Sequence, residues 1–447
     1  MKPRYERPFI VRHGVTTWTK GGAFGAPSTV SSFAGVAVSE LVERYGSPLF
    51  VLSERKIRER VRELSSQLER RLSDSTVAWS YKTNYLDAVC AVMHSEGAWA
   101  EVVSGMELEK ALRLGVPGHE IIFTGPGKSA AALESAFAVG ARIHIDHLDE
   151  LALAEHIAAK LGLEPEVGIR VNLTGLPVAA WDRFGFSLEN GSALHAVHRI
   201  QRGRRLRLRA LHCHIGTFIL DVDAYRLAAR KVAEFARKLT SSEGVVLDSL
   251  DFGGGFASHN TLHQQYLPGE DVAPSLGQYV EKIATGLTEG LDGNPPPRVV
   301  LETGRALVDD AGALLSTVIG TKRLADGRRA AILDAGVNIL PTAFWYRHDV
   351  HPAQEIRGIP EPTVLLGPLC MAIDVVREMM LPPIKAGDRV VVNRVGAYNM
   401  TQWMQFIMSR PNVVLVSPHG EQAVIRRAES LETLTAQEQV PGWLRAS

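Results

Sequence analysis

From residue 76 to residue 302 short apolar runs recur, near 76–81, 98–103, 121–124, 142–146, 167–173, 206–213, 247–252 and 297–302. Between most of them lie stretches with apolar residues at helical spacing, such as DAVCAVMHS, GMELEKALRLG, SAAALESAFAVG and LDELALAEHIAAKLG. Their alanines and leucines favour helix. Eight strand-like runs alternating with helices predict an α/β fold, a (β/α)8 TIM-like barrel. A doubly wound open sheet has the same periodicity, and the pattern alone does not separate the two. After about residue 306 the rhythm changes. ALLSTVIGTKR, RRAAILDAG, PTVLLGP, DRVVVNRVGAY, NVVLV and AVIRRA read as strands separated by Gly, Pro and Asp, which predicts a mostly β second domain. The polar tail after Leu431 reads as irregular.

A length of 447 residues exceeds one ordinary core and agrees with two domains. The 49 basic residues balance the 49 acidic ones, which argues against a nucleic-acid or anionic-membrane partner. The basic run Arg202, Arg204, Arg205, Arg207 and Arg209 alternates with Leu206 and Leu208 near its end; that is the period of a solvated strand face. Three cysteines, Cys90, Cys213 and Cys370, make neither a disulfide framework nor a metal-ligand spacing, and point to a reducing, cytoplasmic setting. The first residues lack the apolar core of a signal peptide, and no segment approaches the ~18 apolar residues of a membrane span.

Active sites of such barrels form where the strands end. The first run ends in Tyr81-Lys82-Thr83-Asn84. A desolvated lysine there has a lowered pKa and can form an imine, while an idle one would snorkel to the rim. The sixth ends in His212-Cys213-His214-Ile215-Gly216-Thr217, with His212 and His214 on one face. A metal would need a further ligand, and none is near in sequence; a flat imidazole could stack on a planar cofactor, or be a satisfied core histidine. The seventh run ends in Gly253, Gly254 and Gly255, whose bare N–H groups suit a phosphate. The eighth ends in Glu302-Thr303-Gly304-Arg305. Glu302 could keep a pyridine nitrogen protonated and Arg305 could hold a phosphate or carboxylate, or the two could form a rim pair. Together these residues supply what pyridoxal phosphate (PLP) chemistry requires.

From about residue 45 to 430 the chain resembles the fold-type III PLP-dependent decarboxylases, the group of diaminopimelate, ornithine and arginine decarboxylases. The resemblance rests on WSYKTN, EVVSGMEL, HCHIGT, LDFGGGF, ETGR, GPLC and GAY, in the family's order. It implies an alanine racemase-like barrel over residues 46–305, with residues 1–45 and 306–447 forming the β-rich domain. It implies that Lys82 carries PLP, that His214 stacks on its ring, and that Glu302 faces the pyridine nitrogen. Thr217, Gly253, Gly254, Gly255, Gly304, Arg305 and Tyr398 would complete the cofactor site. Cys370 would enter the partner's active site of a homodimer and donate a proton to the α-carbon. The implied activity is decarboxylation of a small-molecule α-amino acid; a racemase and a non-catalytic regulatory homologue are the alternatives.

The departures lie where the family reads its substrate. Met371 and Ala372 follow Cys370 where diaminopimelate decarboxylases have a glutamate next. Leu340 precedes Pro341 in place of an arginine, and Phe344 stands at about the position of a tyrosine. These losses argue against meso-diaminopimelate as the main substrate and towards specialised metabolism. Asp374 is expected to meet a distal amine, with Arg347 and His348 supplying polarity. Met400, Trp403, Met404 and Phe406 line the pocket or form plain β-domain core.

Overall fold

The computed structural model describes residues 27–444. Eight parallel strands form the barrel: Ser75–Ser80, Trp99–Val102, Ile121–Phe123, Arg142–Ile145, Glu166–Asn172, Arg207–Cys213, Ser249–Asp251 and Arg298–Thr303. The eighth pairs with the first, Glu302 opposite Ala78, and the sixth pairs with the fifth, His212 opposite Arg170, so the sheet is closed rather than open. Helices cover it on the outside. Ser104, Ser129 and Ser275 cap three of them by accepting backbone N–H groups. The strands are buried on both faces, which is why they read as continuous apolar runs.

The second domain is a nine-stranded sheet built on the long strand Gly312–Arg323. That strand pairs antiparallel with Arg389–Asn393, Arg329–Leu333 and Leu49–Ser53. Asn412–Val416 lies parallel to Leu49–Ser53 on its other side. The domain therefore takes its N-terminal strand past residue 46, and the expected boundary moves: LFVLS belongs to the β-sheet, not to the barrel. Its run is fully buried between two neighbours, and an apolar run carries no mark of which sheet it joins.

Besides Leu49–Ser53, two strands of this sheet escaped the pattern, Val350–Pro352 and Val375–Leu381. The second, VVREMML, sits at the sheet edge with Arg377 and Glu378 mid-strand, which breaks the apolar run. The tail contains a capped helical turn, Leu431–Thr435. Of the basic run, Arg207 and Arg209 lie on the strand and meet Glu166 and Asp248, as a solvated face does; Arg202 ends a helix instead. No described helix is long and apolar enough to cross a membrane.

Candidate active site

The first barrel strand stops at Ser80, and a short 3-10 turn, Tyr81–Thr83, lifts the chain over the rim. Tyr81 is anchored outward, its hydroxyl 2.7 Å from His94 Nε2, while Lys82 faces the mouth. Its ammonium donates to both oxygens of Glu101, at 2.6 and 2.9 Å. Glu101 is completely buried on the second strand and also accepts from Ser80 Oγ, at 2.5 Å, and Thr124 Oγ1. Burial pushes the Lys82 pKa down, but the carboxylates of Glu101 and Glu302 outweigh it and hold it above the ordinary lysine range. The lowered value expected for a desolvated lysine is corrected by that pairing. Sequence reading missed Glu101; a carboxylate inside the apolar run AWAEVV was the available signal.

The β-domain closes over the same turn. Tyr398 N–H donates to the Thr83 carbonyl at 2.8 Å, Thr401 Oγ1 to the Lys82 carbonyl at 2.9 Å, and Asn84 Nδ2 to the Gly396 carbonyl at 2.9 Å. Tyr398 is thereby held at φ +64°, a left-handed conformation that a tyrosine adopts at a cost of order 1–3 kcal/mol. Its ring lies under the Arg305 guanidinium, 4.6 Å from the centroid. Arg305 is 8% exposed and donates to Thr217 Oγ1 at 3.3 Å and to the Tyr346 hydroxyl. Thr217, Arg305 and Tyr398, far apart in sequence, thus meet at one end of the barrel mouth. Tyr346 joins them and was missed: the tyrosine near Arg305 is this one, while Phe344 is exposed.

The glycine loop lies beside them. Gly253 and Gly255 have φ +60° and +91°. A Cβ on Gly253 would sit 2.6 Å from His214 Nδ1, and one on Gly254 would run into the Glu302 carbonyl oxygen. Gly254 N–H donates to His214 Nδ1 at 3.2 Å, so the ring proton of the neutral imidazole is on Nε2. Burial, then Arg170, pushes His214 well below the ordinary histidine range. Gly304 serves the packing of the strands, because a Cβ there would strike Thr83; its absence lets the eighth strand lie close against the first. Glu302 accepts from His212 Nε2 at 3.1 Å through one oxygen, and its other oxygen is buried without a partner. His212 also has more company than its sequence neighbours supply. One ligand atom each of His144, His212 and Glu302 lies within 4.8 Å of the others. The two rings are stacked with only 18° between planes, so their in-plane lone pairs run side by side and do not converge on one ion.

These features fit pyridoxal phosphate. A buried guanidinium beside two hydroxyl-bearing side chains and a side-chain-free loop suits a phosphate, a primary amine faces the same mouth, and an unpartnered carboxylate oxygen waits opposite. Residues 54–309 match the family model described as pyridoxal-dependent decarboxylase, pyridoxal binding domain. The chain belongs to this family. It is 30% identical over 423 residues to a diaminopimelate decarboxylase of Zymomonas mobilis, covering 92% of this chain and 96% of that one. It is 33% identical over 422 residues to one of Actinosynnema pretiosum, with 90% and 91% covered. The crystal structure of a diaminopimelate decarboxylase from M. jannaschii in complex with L-lysine superposes with a TM-score of 0.84 at 27% identity, covering 92% of this chain and 96% of that one. This pyridoxal-dependent decarboxylase is therefore a carboxy-lyase acting on an amino acid, with PLP as cofactor. The racemase and non-catalytic alternatives give way to it.

The decarboxylase's expected substrate-reading residues already have partners within the chain or lie in its packing. Asp374 is 3% exposed and accepts the Val337 and Leu369 N–H groups at 2.8 and 2.7 Å, so each of its oxygens ties down a loop. Arg347 donates to the Gln265 carbonyl on the surface. His348 is buried against Thr342 Oγ1 at 2.8 Å, and burial pushes it down to about 3. Leu340 and Met400 are core. Trp403 packs edge-on against Phe50 and lies under the Arg410 and Arg426 guanidinium groups, so it too is β-domain packing, whereas Met404 is half-buried and Phe406 exposed. Cys370 is exposed and Met371 partly buried.

Proposed function

We propose that this enzyme decarboxylates an α-amino acid whose distal end is not a second zwitterionic centre, as a homodimer in specialised metabolism. Bound at the barrel mouth, pyridoxal phosphate supplies a conjugated electron sink for the bond lost at the α-carbon. Lys82 would be its covalent anchor. The Gly253–Gly255 backbone, Thr217, Arg305 and Tyr398 would hold the phosphate, and His214 would lie against the ring. Glu302 would keep a proton at the ring nitrogen. Glu101 keeps the Lys82 amine positioned for its return when product leaves. Cys370 Sγ reaches the partner subunit's site and delivers a proton to the α-carbon, which the exposure of its side chain supports.

The observation that carries the substrate reading is that the polar groups expected to read the distal end are already engaged. Asp374 is bound to two backbone N–H groups, Arg347 to a carbonyl and His348 to Thr342. A distal ammonium and carboxylate buried among them without partners would cost several kcal/mol. The second reading is meso-diaminopimelate itself, favoured by the names of the relatives. Carbon dioxide release from lysine, ornithine, arginine, meso-diaminopimelate and larger amino acids separates the two. Strong turnover of meso-diaminopimelate would overturn the first reading. Mixing Lys82→Ala with Cys370→Ala chains should restore about a quarter of the sites if each is shared across a two-fold dimer; no recovery would refute the shared site.

A further inference from the structure

The fourth barrel strand places His144 in the floor of the site, 1% exposed. Its ring is stacked on His212 with centroids 4.9 Å apart. Its Nδ1 faces two carboxyls at once, Glu302 Oε1 at 3.9 Å and Asp251 Oδ2 at 4.0 Å. Neither nitrogen of His144 has a hydrogen-bond partner, and the buried Glu302 Oε1 and Asp251 Oδ2 have none beyond the contact between the two carboxyls themselves. The strand opposite makes room for the ring. Gly168, paired with His144 across the sheet, would put a Cβ 2.5 Å from His144 Cδ2. Glycine inside a strand costs stability and often marks such a close approach.

We infer that His144 is a positioning residue which, with its proton on Nδ1, stabilises the single negative charge shared by the Asp251–Glu302 pair. This rests on the reading that Glu302 meets the ring nitrogen. Two like carboxyls in one buried chamber do not both ionise. Burial, then Glu302, pushes Asp251 well above the carboxylate range, and its other oxygen accepts Gly253 N–H at 2.9 Å. Burial also pushes His144 and His212 well below the histidine range, so both rings are neutral. The other charges bearing on the cluster come from Arg142 on the same strand, Lys128 after the third, Arg170 on the fifth, Lys82 after the first and Glu101 on the second. Without the His144 N–H pole the carboxyl pair would bind a second proton more tightly, and Glu302 would no longer support a protonated ring nitrogen.

The test is the 15N chemical shift of the pyridine nitrogen in holoenzyme reconstituted with 15N-labelled pyridoxal phosphate, beside the cofactor's dissociation constant. His144→Phe keeps the stack and removes the pole. It should move the shift towards the unprotonated value and weaken cofactor binding about tenfold, one pKa unit's worth. His144→Asn should bring both back towards wild type. Should the phenylalanine variant not fold, His144→Leu reads the same loss. A wild-type shift and affinity in His144→Phe or His144→Leu overturns the inference, as does a divalent metal ion held at one per chain in the wild-type holoenzyme. Glu302→Gln separates the two levels. If it moves the shift and the His144 variants do not, only the inference fails; if it leaves the shift unchanged, the reading of Glu302 fails and the inference with it.

Discussion

Asp374→Asn asks whether a buried carboxylate serves the chain or the substrate. The side chain is nearly isosteric, so packing is kept. The wild-type oxygens accept the Val337 and Leu369 N–H groups at 2.8 and 2.7 Å. An asparagine can accept only one of them and turns its own NH2 towards the other. Losing one hydrogen bond to a charged group costs about 1.5–3 kcal/mol. Asp374 packs closely against Gly336, where a Cβ would sit 2.7 Å from its Oδ1. For a cooperative unit the size of the β-domain, about 1.5–3 kcal/mol lowers Tm by about 3–12 °C. Differential scanning calorimetry of the holoenzyme measures that shift, and steady-state kinetics with amine-bearing substrates measures KM. The loop-binding assignment expects a lower Tm with KM changed less than about threefold, below 1 kcal/mol. An unchanged Tm with KM raised tenfold or more would refute it and return Asp374 to the substrate's distal amine.

Three further outcomes follow from the same geometry. Gly254→Ala should weaken PLP binding at least tenfold, read by fluorescence titration, since its Cβ would meet the Glu302 carbonyl and displace the loop. Lys128→Met should destabilise by about 3–5 kcal/mol in urea melts, because Glu150, paired with Lys128 at 2.7 Å and 2% exposed, would be left as an unpaired buried charge. Asp309, buried where it meets Ser258, Asn260 and Ala397, has its carboxyl pushed up to about 6 by burial. A raised carboxyl adds stability fully below its unfolded value near 4 and loses it as pH rises through 6. The stability difference between wild type and Asp309→Asn should therefore change by about 2.4 kcal/mol between pH 4 and pH 7, and a flat difference would refute the shift.

Much of this protein was legible in the order of its residues. Buried strands are apolar on both faces, so the eight barrel strands stood out, and the polar residues that end them named Lys82, His214, Gly253–Gly255 and Glu302 as candidates. Cofactor chemistry acts at strand ends, where a polar residue interrupts an apolar run and so is visible locally. Leu49–Ser53 was misassigned for the converse reason: a fully buried run does not say which sheet it completes. Residue roles set by a distant partner were invisible. Asp374 looked available until two loops claimed both its oxygens, and Tyr346 rather than Phe344 reached Arg305 because the chain turns between them. Glu101 and His144 took their meaning only from barrel closure, which carries a carboxylate to Lys82 and a second imidazole to His212. Sequence alone determined the kind of cofactor, because its anchors are local motifs. The tertiary structure decided which charges share the buried floor of the site, because that depends on distances between strands that are far apart along the chain.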